Sequence, residues 1–131
     1  MKNKFLTAVV LILITFTGYS QTVNKKSLCK KWHLEKYEHN WIDYTPKEEE
    51  QNDYILLKEN MTYESVSEGE KTSGKWKLNE NHNYFILYDK KGNGLKFIIN
   101  ELSINKMVFN LDIKDMEEID IHYSTTKNGS Y

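Results

Sequence analysis

Four histidines, one cysteine and 19 aspartates and glutamates are the side chains of this 131-residue chain best suited to hold a metal ion or to move a proton near neutral pH. His33 and His122 are the pair whose neighbours invite such a reading. Glu35 and Asp120 accompany them, and imidazole with carboxylate suits zinc. The two would approach each other only if the first and last strands of one sheet lay side by side, and scattered surface histidines are the usual explanation. No metal-ligand spacing is written along the chain, so neither a metal nor any other cofactor is expected. Catalysis finds no support. There is no nucleophile elbow, no suggestive Ser-His-Asp context and no glycine loop for phosphate. The carboxylates fall mostly at outward strand positions and in turns, where water solvates them, and the chain reads as a non-enzyme.

The aromatic residues offer more. Trp32, Tyr63, Trp76, Phe85, Phe97, Phe109 and Tyr123 occupy inward positions of the strands set out below. Together they could line a cavity for a small hydrophobic ligand, or they could fill a solid core. Trp41 and Tyr44 stand apart, in the segment "NWIDYTPKEEEQN" between the first two strands. They could form a lid at the mouth of a barrel or a contact for a protein partner, since loops there carry function. The loop could equally fold back as a plug.

These side chains need a scaffold, and alternation supplies it. "MVFNLDI" sends Met107, Phe109, Leu111 and Ile113 to one side and Asn110 and Asp112 to the other. "IDIHY" sends Ile119, Ile121 and Tyr123 inward, and "LKFII" does the same for Leu95, Phe97 and Ile99. This period of two marks antiparallel strands with one face on a core and one in water. Eight strands are expected, at residues 31–39, 53–58, 62–67, 72–79, 84–90, 95–102, 107–114 and 118–125. Their connections are too short for parallel crossovers. The exception is residues 40–52, where Pro46 before "KEEEQ" could start a short helix. An all-β, eight-stranded antiparallel up-and-down barrel follows, because closure removes both exposed edges. In "GKW", Trp76 enters the core between outward Lys75 and Lys77, and Gly74 allows a sharp bend or the close approach of another backbone.

The ends and the charge set further bounds. "MKNKFLTAVVLILITFTGYSQ" has two lysines, an apolar run from Phe5 to Phe16, and Gly18 and Ser20 before Gln21. That is the layout of a signal peptide over residues 1–20, too short for a comfortable membrane span. The expected product is exported, to the periplasm or beyond the cell, with no stable span after cleavage. Residues 21–27 read as a flexible leader, 28–126 as the barrel and 127–131 as a tail. Cys29 has no internal partner for a disulfide. It reads as a buried small hydrophobe, with pairing between chains as the alternative. All 18 basic residues are lysine, and net charge is −1, so nucleic acid is a poor partner.

"DYILLKENMTY", from Asp53 to Tyr63, followed by "GKW", from Gly74 to Trp76, resembles the lipocalin-like domains of exported Bacteroidetes proteins. Lys30 and Met61 stand where that pattern has glycines. The resemblance spans about residues 28–125 and implies a cupped barrel able to hold a small hydrophobic molecule without catalysis. The other class of function is an exported protein-interaction module with a filled core, working through the 40–52 loop or an outer strand face.

Overall fold

The structure is a computed structural model and describes residues 21–127. The signal peptide read at residues 1–20, and all but the first residue of the tail, lie outside the described residues. Alternating apolar residues produce nine strands: β1 (Lys31–His39), β2 (Ile42–Tyr44), β3 (Tyr54–Leu57), β4 (Thr62–Ser67), β5 (Glu70–Asn79), β6 (Tyr84–Tyr88), β7 (Gly94–Leu102), β8 (Lys106–Leu111) and β9 (Asp120–Ser124). All pairings are antiparallel, and β9 returns to pair with β1. Eight strands therefore close the barrel, and β2 is an extra strand bonded to β1 alone.

That extra strand corrects the reading of residues 40–52. Instead of one long loop, β1 and β2 form a hairpin in which His39 opposes Ile42 and Asn40–Trp41 make the turn. Both turn residues have positive φ, 51° and 67°, which gives the hairpin a twist matching its strands. The expected helix after Pro46 is one 3₁₀ turn, Glu48–Glu50. The expected leader is also ordered. The Gln21 amide donates to the Leu102 carbonyl at 2.8 Å, and Asn24 caps a helical turn, α1 (Lys25–Leu28). Leu28 is then carried into the core.

These residues shut one end of the barrel. Leu28, Trp32, Leu57, Trp76, Phe85 and Met107 are completely or almost completely buried there. Each indole finds an acceptor for its N–H: Trp32 donates to Leu28 O at 2.9 Å, and Trp76 to Lys58 O at 3.0 Å. A buried tryptophan costs little once that proton is satisfied. Gly74 has the role its position implied. A Cβ there would stand 2.0 Å from the Tyr88 carbonyl oxygen, so two backbones meet where only glycine fits.

Two β-bulges alter the phase of the alternation, one between Leu34 and Lys36 and one between Ile99 and Glu101. After the first, Tyr37 packs against the core. After the second, Leu102 is buried. Ile113 does not point inward as expected. β8 ends at Leu111, and Ile113 lies 41% exposed in the turn beyond.

Candidate functional site

The end opposite the Trp-sealed base is open. The turns after β4, β6 and β8 surround a cavity of about 630 Å³. Its wall is aromatic and aliphatic. One ring from each of β5 to β9 forms a spiral ladder inside the barrel: Trp76 to Phe85 at 6.3 Å, Phe85 to Phe97 at 4.7 Å, Phe97 to Phe109 at 4.9 Å and Phe109 to Tyr123 at 5.2 Å between ring centres. The ladder runs from the packed base to the cavity, and offset or tilted rings at these spacings attract one another beyond their burial.

The seven inward aromatics expected to bind ligand therefore divide. Tyr63, Phe97, Phe109 and Tyr123 line the cavity. Trp32, Trp76 and Phe85 do not, because they are spent on closing the base. Leu87, Ile121 and Met116 complete the apolar wall, with Met116 carried by the turn between β8 and β9.

The mouth is polar in a way that alternation along a single strand did not reveal. The 3₁₀ turn before β3 folds Glu50 and Asp53 into the cavity lining, where they are 9% and 5% exposed. The Tyr37 hydroxyl donates to the Glu50 carboxylate. Burial, reinforced by that bond, pushes the Tyr37 phenol far above the ordinary range. Asp53 Oδ1 accepts the Glu68 amide at 2.8 Å. Burial nevertheless raises its carboxyl above the usual aspartate value. The Glu68 bond opposes the rise, and the charges of Glu50 and Glu68 add to it. Burial also raises Tyr123, with Asp53 and Glu50 nearby, and raises Tyr63, with Asp89 nearby. The cavity is thus a cup with an apolar wall and an acidic, phenolic rim.

The remaining candidates lie elsewhere. Trp41 and Tyr44 stand on the outer hairpin, 94% and 48% exposed, and neither lines the cavity. Lys36 and Asp43 clasp that hairpin at 2.9 Å. His122 sits 3.2 Å from Glu38 without the alignment of a hydrogen bond, whereas His33 lies against the Tyr54 ring. Among the described residues no group of three or more metal-ligating side chains converges. Cys29 is half-buried and carries no disulfide; its burial raises the thiol.

Sequence reasoning passed over Tyr37, Glu50 and Asp53. A signal for Asp53 was present, since it shares the parity of Ile55 and Leu57 in the segment that leads into β3. Tyr37 was hidden by the bulge in β1, and Glu50 by its place in an acidic run.

Comparison with known proteins follows the barrel. A family model described as a lipocalin-like domain matches residues 28–109. The fold is similar to the NMR structure of a protein from Bacteroides uniformis. The TM-score is 0.58 at 16% identity, over 82% of this chain and 94% of that one, a likeness that shows the fold alone. No curated protein matches the chain.

Proposed function

This chain belongs to the lipocalin-like domain family, and from that premise we propose that its barrel binds a small hydrophobic molecule without acting on it chemically. The observation that carries this reading is the cavity of about 630 Å³ above the sealed base. Its size falls in the range of small-molecule sites, and its wall is mostly apolar with a few polar groups at one end, as such sites are built. The protein is proposed to work after export, with residues 1–20 removed.

Native mass spectrometry of the protein from its own host, set against the denatured mass, tests the proposal. The expected result is an added small-molecule mass that is lost on denaturation. Saturable binding of the apolar fluorophore phenylnaphthylamine is expected to agree with it. A bare mass together with no fluorophore binding would refute the reading.

A second reading has one observation in its favour. Trp41 is 94% exposed at the tip of a projecting hairpin, with Ile42 and Tyr44 also exposed beside it. Such a tip suits contact with a protein partner, because exposed tryptophan is a frequent anchor of interfaces. Both readings hold together if the barrel carries a ligand and the hairpin delivers it.

A further inference from the structure

We infer that the molecule held in the cup is an organic cation: an amine with an apolar body, its ammonium group among the rim carboxylates and its body against the aromatic wall. The inference rests on the carrier reading above and names the class of ligand. Glu50, Asp53, Glu68 and Asp89 all belong to the cavity lining, and among the described residues no lysine or histidine does. Sixteen lysines lie among the described residues, and the omission of every one of them from this surface sets the sign of the site. The ion pairs of the described residues engage other carboxylates, namely Glu35, Glu38, Asp43, Glu64 and Glu118. The four at the rim have none.

Two of the four are deep. Glu50 and Asp53 are 9% and 5% exposed, and their partners are a phenol and backbone amides, which satisfy lone pairs without neutralising charge. A buried carboxylate without a counter-ion is costly, and the cost is removed when a cation arrives. The neighbouring rings favour the same sign, since aromatic faces attract ammonium groups. An anionic lipid or fatty acid, by contrast, would meet only like charge at the rim.

A simple metal cation fits less well. No three metal-ligating side chains converge among the described residues, and a calcium ion takes six to eight oxygens. The apolar wall beneath the carboxylates would also be unused. An ammonium group on an aromatic or aliphatic body uses both halves of the cup.

The test compares naphthylethylamine, naphthylethanol and naphthylacetate, which share one apolar body and differ in charge. Binding is measured by calorimetry at neutral pH. The amine is expected to bind about tenfold or more tightly than the alcohol, the worth of one charge-assisted contact. The acid is expected to bind weakest. In the double variant Glu50→Gln, Asp53→Asn, which keeps one acceptor oxygen at each position, the ratio of amine to alcohol affinity is expected to fall toward one. Alcohol binding with no advantage for the amine would overturn the inference and leave the carrier reading standing. Tighter binding of the acid would overturn it in the same way. Failure of all three probes to bind would overturn the inference, and the carrier reading would fall with it only if the native mass is bare and the fluorophore does not bind. The comparison on the unaltered protein decides the matter even if the double variant does not fold. Calcium chloride is expected not to shift the melting temperature, and a shift as large as the amine's would also overturn the inference.

Discussion

Replacing Gly74 by alanine adds one methyl group where the structure has no room for it. The new Cβ would lie 2.0 Å from the Tyr88 carbonyl oxygen, whereas ordinary contact starts at 3.4 Å. The obstacle is backbone, so β5 and β6 must part by about 1.4 Å at this point. That displacement strains the Lys75–Tyr88 pairing and the packing of Tyr63, which also lies close to the added atom. Overpacking costs about 1–3 kcal/mol, and one or two weakened ladder bonds add about 1 kcal/mol each. The expected loss is about 2–5 kcal/mol, a large part of the stability of a domain this size. Urea denaturation followed by tryptophan fluorescence measures it, and the midpoint is expected to fall by about 2 M. Gly69→Ala is the control. Its Cβ meets nothing within 4 Å, but its φ is +81°, so it pays only for left-handed backbone, about 1–2 kcal/mol. Equal losses for the two variants would refute the close-approach argument.

Trp76→Phe removes the indole donor and leaves a void at the base, so a loss of about 2–4 kcal/mol in urea denaturation is expected. Asp53→Asn keeps the acceptor for Glu68 while removing a charge whose folded-state pKa is raised. The folded state therefore holds the Asp53 proton more tightly than the unfolded chain does. Wild type and variant should match below about pH 4, near the ordinary aspartate value. Wild type should then lose stability relative to the variant as pH rises through the raised value, and the gap should stay constant above it; thermal melts across pH show this, and a gap that closes with rising pH would refute it. Absorbance titration of the nine tyrosines is expected to leave the half-buried Tyr37 and buried Tyr123 phenols neutral well past the ordinary value of about 10. Trp41→Gly should stabilise the protein by about 1 kcal/mol in the same melts, because glycine takes the φ of +67° at little cost.

The sequence made the barrel legible because its strands alternate cleanly. Met107, Phe109 and Leu111 in β8, and Phe97 and Ile99 in β7, announce an inward face in any register. Gly74 was legible for a similar reason: a glycine two residues before a buried tryptophan has few other uses. The cavity rim was not. A bulge is a backbone event with no side-chain signature, and the one after Leu34 is what turns Tyr37 toward the cup. The hairpin turn at Asn40–Trp41 lacks the glycine that usually betrays such turns, so β2 merged with the polar run after it. Alternation also cannot say whether inward aromatics meet or leave a gap. Trp32, Trp76 and Phe85 show the first outcome and Tyr63, Phe109 and Tyr123 the second, within one barrel.

That division has an energetic consequence. At the base, each completely buried side chain contributes about 1.5–3 kcal/mol relative to exposure, and every polar hydrogen of the two indoles is satisfied. That end has its own left-handed non-glycine residues, Met61 and Asn83, in the turns after β3 and β5. The other end adds Asp53 buried without a cation, and Trp41 held in left-handed backbone at the tip of the hairpin. Neither is required to close the barrel. Strain of this kind persists only where the surrounding structure over-determines it, and it gathers where a protein meets something else. The two substitutions that relieve it, Asp53→Asn and Trp41→Gly, are expected to raise stability, while Trp76→Phe and Gly74→Ala lower it. A protein in which the stabilising changes fall at the rim and the hairpin, and the destabilising ones at the base, keeps its fold at one end and its recognition at the other. Should Trp41→Gly instead destabilise, the hairpin would be part of the scaffold, and the case for a partner contact there would lose its support.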